Sequence, residues 1–222
     1  CDGSARQITD MLLDEARDAT IRTSTQVTQI SRHENEFRLA TEAEEVVTDA
    51  LVIATGGPSI PKMGSSGFGY NVARQFGLKV IEPRPGLVPL TFAPATLSRL
   101  SELSGVSIGA TVSLGKVHFS GGLLFTHRGL SGPAILQISS YWRVGDEITI
   151  NLLPGIDVFD YLKAARADHP KKEVGTALAQ LLPNRLAQMV VEQAACDGRL
   201  AEVADKSLRH LAGLVNTWRL TP

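Results

Sequence analysis

The sequence is poor in cysteine, has no long apolar run and carries no surplus of basic charge. Two cysteines in 222 residues, Cys1 and Cys196, cannot build a disulfide framework, so the chain reads as a reduced, cytoplasmic protein. CxxC and HExxH patterns are absent and the five histidines are scattered, so no metal site is expected. No apolar stretch approaches the ~20 residues that cross a bilayer, which leaves no membrane partner. No basic-then-apolar leader is visible either. Twenty-two Lys and Arg against 23 Asp and Glu give a formal charge of −1. A nucleic-acid binder needs clustered cations that displace counterions, so the expectation is no nucleic-acid partner.

What is present supports a folded core, with 43% hydrophobic and 20% charged residues. Ser4 can cap a first helix carrying Ile8, Met11, Leu12 and Leu13 at helical spacing. A short strand is expected near Thr20 to Thr23. Alternation over Gln26–Ser31, Glu36–Ala40 and Glu45–Thr48 predicts an antiparallel meander, with His33-Glu34-Asn35 as a turn. Ala50-Leu51-Val52-Ile53-Ala54 is continuously apolar, as a strand buried on both faces would be. It stops at Thr55-Gly56-Gly57-Pro58 and is followed by a glycine- and serine-rich loop, Gly64 to Gly69. A helix from about Tyr70 to Phe76 would end at Gly77.

Glu82-Pro83-Arg84-Pro85-Gly86 marks a linker or domain edge. Strands are expected over Leu87–Phe92, Val106–Leu114, Lys116–Phe119, Leu123–Thr126 and Glu147–Leu152. A helix from Gly132 to Trp142 would be capped by Ser131, and four apolar helical faces follow Asp157. The domains are therefore read as 1–86, then 87–222. The second is β-rich over 87–153 and helical over 154–222. The fold class is α/β or α+β.

The chemistry centres on residues 51–57. A strand ending in small residues lets main chain approach a ligand closely, and open α/β sheets bind ligands beyond strand carboxyl ends. Val52-Ile53-Ala54-Thr55-Gly56-Gly57, Pro58-Ser59-Ile60-Pro61-Lys62-Met63-Gly64, Pro83-Arg84-Pro85-Gly86-Leu87-Val88-Pro89-Leu90 and Leu124-Phe125-Thr126-His127-Arg128-Gly129-Leu130-Ser131-Gly132-Pro133 together carry a resemblance. The chain resembles bacterial FAD-dependent oxidoreductases similar to aminoacetone oxidase and the YhiN-type, BaiN-like flavoproteins.

That resemblance implies a partial FAD-binding two-dinucleotide fold, with an inserted domain that is β-rich, then helical. It places Ala54, Thr55, Gly56 and Gly57 near the FAD ribose and pyrophosphate, and Val27 against the adenine through its backbone. It implies oxidation or reduction of a small organic substrate, with NAD(P)H as a candidate reductant. It names no catalytic residue and no oligomeric state. The opening Gly-x-Gly-x-x-Gly unit of such proteins is not matched, and the sequence begins at Cys1. The expectation is thus a middle portion of a flavoenzyme, inactive alone.

Two other classes stand beside it, a non-enzymatic binding or packing module and an N-terminal-cysteine hydrolase using Cys1. Ser131 does not complete a Gly-x-Ser-x-Gly elbow, because Pro133 holds the last position. His127 and Arg128 receive no role. Trp142 and Tyr141 read as packing residues, and Arg166 to Glu173 as a solvated stretch.

Overall fold

A computed structural model describes residues 3–64 and 66–222. The chain divides into two compact units, Cys1–Glu82 and Pro83–Pro222, and the proline-containing run Glu82–Gly86, which has no regular structure, spans the division.

The first unit begins with helix α1 (Arg6–Glu15). Its cap position is Ala5, but the Ser4 hydroxyl still accepts the Arg6 N–H at 3.2 Å. The helix buries no residue, and Ile8, Met11, Leu12 and Leu13 are all about half exposed. Residues 20–23 form no strand. Strands β1 (Val27–His33), β2 (Glu36–Thr41) and β3 (Glu45–Thr48) make the expected antiparallel meander, in the order β1-β2-β3. Its first turn passes through Glu34, at φ +51°.

After a short 3-10 turn (Pro61–Met63), helix α2 (Phe68–Gln75) packs on the meander. The Phe37 and Phe76 rings meet edge to face at 5.9 Å, and the Gln75 amide donates to the Ile30 carbonyl at 2.6 Å. Ile30 and Val72 are the buried apolar side chains among the described residues of this unit.

The apolar run 50–54 departs from expectation. It carries no regular structure, pairs with no strand among the described residues, and leaves Val52 85% exposed. A strand buried on both faces needs a neighbour on each edge and a layer on each face. Residues 3–82 supply a three-stranded antiparallel sheet and no strand to pair with this one.

The second unit holds the main core. Its sheet contains β4 (Leu90–Thr91), β5 (Ser107–Leu114), β6 (Val117–Thr126), β7 (Gly129–Ser131), β8 (Ile148–Asn151) and β9 (Trp218–Leu220). All pairings are antiparallel, in the order β4-β7-β6-β5-β8-β9. Helix α3 (Pro94–Ser101) contacts β6 and β7, and α4 (Pro133–Ser139) lies on β5 and β6. Helices α5 (Val158–Asp168), α6 (Val174–Leu178), α7 (Asn184–Ala194) and α8 (Asp205–Asn216) pack on one another, as their four apolar faces predict. The Asp157 side chain caps α5 through the Asp160 N–H at 3.0 Å. Leu123, Phe125, Ile135, Ile150, Leu162 and Leu208 are fully buried. Each such burial contributes about 1.5–3 kcal/mol. The class is α+β.

Two local expectations change here. The pieces 116–119 and 123–126 are one strand, β6, which runs through Gly121-Gly122. A Cβ on either glycine would lie 3.4–3.5 Å from the Pro133 side chain, in ordinary contact, so only a longer side chain there would crowd the start of α4. Ser131 does not cap α4. It ends β7, and Gly132, at φ +95° and ψ 162°, takes the cap position without a side-chain bond.

Candidate functional site

The sequence-derived site lies in the first unit. The end of the apolar run, the start of β1 and the loop before α2 enclose a cleft of about 510 Å³. That volume falls within the ~300–1,000 Å³ usual for small-molecule sites. Val27, Ile30, Leu39, Leu51 and Phe68 supply apolar wall. Thr25, Gln26, Thr55 and Ser66 add hydroxyl and amide groups, and no lining side chain carries charge.

Val27 and Thr55 therefore share one cavity, although 28 positions separate them in sequence. Ala54, Gly56 and Gly57 are not part of its wall. Ala54 and Gly56 are exposed, Gly56 has φ +69°, and a Cβ there would meet nothing within 4 Å. Gly57 turns toward Tyr70, whose Oη would lie 3.0 Å from a Cβ. Gly69 serves a similar close approach, since a Cβ there would sit 3.0 Å from Thr55 Oγ1 and 3.3 Å from Ile53 Cγ2. The polypeptide after Ile53 is open to solvent rather than sealed by neighbours.

Sequence reasoning missed Gly64, Ser66 and Phe68 as wall residues. The signal was the glycine spacing of 64–69, which also reads as an ordinary surface loop. The Ser66 hydroxyl accepts the Phe68 N–H at 3.3 Å, and α2 begins there with its remaining first-turn N–H groups beside the cleft. A helix N-terminus carries partial positive charge that favours an anion.

Other sequence candidates resolve as structure. His127 and Arg128 occupy the tight β6–β7 turn, where Thr126 Oγ1 accepts the Arg128 N–H at 3.2 Å and donates to the Gly129 carbonyl at 3.0 Å. Trp142 donates from Nε1 to the Asp146 carbonyl at 2.9 Å, and the Tyr141 and Phe119 rings meet at a 40° tilt, 5.7 Å apart. Arg166 is not solvated as its surroundings suggested; it is partly buried and paired with Asp205. Cys1, the candidate nucleophile, lies outside the described residues. Among the described residues no group of His, Cys, Asp and Glu could hold a metal ion, and no helix is long and apolar enough to cross a membrane.

Comparison with known proteins extends this geometry. Residues 84–222 match the family described as HI0933-like protein barrel and H2TH domain. The whole chain is 43% identical to the ribosomal RNA dihydrouridine synthase of Escherichia coli strain K12, covering 56% of that protein. It is 38% identical to the protein of the same name from Haemophilus influenzae, covering 57%. The chain thus spans little more than half the length of these relatives.

Those names correct two expectations. Both relatives are named for ribosomal RNA, so the exclusion of nucleic acid and the small-molecule substrate do not stand, and the relatives matched carry the name ribosomal RNA dihydrouridine synthase rather than aminoacetone oxidase. The charge argument failed because it summed over unlike parts. Residues 1–82 carry 8 Lys and Arg against 12 Asp and Glu, whereas residues 83–222 carry 14 against 11. A net charge near zero conceals a basic second unit, and it is local charge that meets phosphate. The match over residues 84–222, more than half of the chain, establishes that it belongs to the HI0933-like, flavoprotein-related family.

Proposed function

We propose that this chain is part of a flavin-dependent enzyme that reduces a uracil base in ribosomal RNA to dihydrouracil. The observation that carries the reading is the similarity, along the entire chain, to two proteins named for that reaction. The base gains a hydride and a proton across its C5–C6 double bond. A bound flavin would supply the hydride.

The cleft of the first unit fits the adenosine end of FAD. Its apolar wall suits a purine; on this reading the Val27 backbone would meet the base edge and the Thr55 hydroxyl would meet the ribose. The side-chain-poor main chain at Ala54, Gly56 and Gly57 would let the sugar–phosphate chain pass close by. The positive end of α2 stands beside Ser66 for a pyrophosphate oxygen.

The test is product formation on unmodified ribosomal RNA. The full-length enzyme of which this chain is part is supplied with FAD and with NADH or NADPH as electron source, and the nucleosides are analysed by mass spectrometry. A uridine that gains two hydrogens is the expected outcome. Flavin retained by the protein with every uridine unchanged would defeat the reading.

A further inference from the structure

We infer that the exposed side of α8, with the adjoining face of α5, is a phosphate-binding strip that holds an RNA backbone. This rests on the RNA reading above, and it assigns to the second unit a surface that the reading leaves open.

On α5, Phe159, Lys163 and Arg166 recur at i, i+4 and i+7 and so share one face. On α8, Lys206, Arg209 and His210 do the same at i, i+3 and i+4. The two helices pack together, and one cation from each, Lys163 and Arg209, meets the Phe159 ring. The Arg209 guanidinium carbon lies 3.9 Å from the centroid of Phe159, and Lys163 Nζ lies 5.5 Å from it. Phe159 itself is 9% exposed, so the ring is a fixed platform.

Stacking orders the Arg209 side chain without using its N–H groups. Among the described residues its guanidinium has no hydrogen-bond acceptor, so its donors remain available at the rim of the plane. An ordered, flat fork of donors is the arrangement that suits a phosphate oxygen pair. Lys206 is exposed and forms no ion pair among the described residues.

The acidic groups facing this strip are few. Asp205 is held by Arg166, which also donates to the Val203 carbonyl at 3.1 Å. Lys163, Arg166 and Arg209 all act on that one carboxylate. Asp168 lies on the opposite side of α5, at 100° per residue, and Asp160 lies on its flank. Farther along α8 the strip opens into a shallow cleft of about 370 Å³, walled by Gln193, Arg209, His210, Thr217 and Arg219, with no carboxylate in its lining. Glu147 pairs with Arg219 at 3.5 Å from outside, and both are exposed, so the pair is weak and exchangeable.

The experiment measures binding of the protein to a fluorescein-labelled RNA hairpin over a range of salt, with no turnover required. Arg209→Glu should weaken binding by roughly tenfold and reduce the slope of log affinity against log salt by about one. Arg209→Gln, which cannot repel phosphate, should change both in the same direction by less. Lys116→Glu makes the same charge change in the β5–β6 turn, away from the strip, and should leave affinity within about twofold. Equal losses for Lys116→Glu and Arg209→Glu would overturn the assignment. So would undiminished binding by Arg209→Glu, and if uridine reduction persisted then the RNA reading would survive without this surface. Absence of any RNA binding by the unsubstituted protein would remove both.

Discussion

Gly132 stands against the carbonyl of Gly122 so closely that a Cβ on it would lie 2.4 Å from that oxygen. Its φ of +95° and ψ of 162° belong to a region that is essentially glycine-only. Both strain and collision therefore oppose any side chain. Gly132→Ala should lower stability by roughly 2–4 kcal/mol. The urea midpoint of the purified variant measures this, and a midpoint within error of the parent would contradict it.

Thr55 and Val27 line the same cleft. Replacing Thr55 with Trp should fill the space. Flavin affinity should fall by at least about tenfold, or ~1.4 kcal/mol, when followed by fluorescence quenching during titration with FAD. Unaltered quenching would move the nucleotide elsewhere.

Asp205 is exposed, and its carboxyl is held below the usual value of 3.8, first by the Arg166 hydrogen bond and then by the charges of Arg166, Lys163 and Arg209. A depressed folded value means that the unfolded chain takes up the proton first as pH falls. The contribution is therefore complete above the unfolded value and disappears as pH drops through the folded one. Asp205→Asn should remove this part of the acid limb in a series of thermal melts from neutral to strongly acid pH. Parallel curves for parent and variant across that limb would show that the pair is inert.

Cys196 is 2% exposed, and burial, followed by the neighbouring Asp197 charge, pushes its thiol above 9.0. The thiolate is the reactive form. In the native protein Cys196 should react with a disulfide reagent at a small fraction of its rate in denaturant, as read by mass spectrometry of the peptide containing it. Comparable rates in both conditions would place this thiol at an accessible surface.

Periodic elements were legible in the sequence, and elements fixed by partners were not. The four helical faces after Asp157 and the alternation of the meander each report their own buried side, and they appear where expected. Gly121-Gly122 looked like a break because glycine usually interrupts a strand. It lies instead inside β6, beneath Pro133, a contact that local composition does not announce. Trp218–Leu220 was invisible as a strand because three residues carry no period. It exists through pairing with β8 and through the stacking of Trp218 on Phe125 at 6.4 Å. The meeting of Lys163 and Arg209 on Phe159 joins two residues 46 positions apart and depends on tertiary packing that no local pattern announces.

The Gly121-Gly122 window also links the size tolerated in β6 to the residues that open α4. A methyl at either position would make only ordinary contact with Pro133, but a longer branch aimed at that ring would press on the beginning of α4, next to Gly132. Alanine should therefore be accommodated there singly, whereas a large side chain needs an accompanying change at the head of α4.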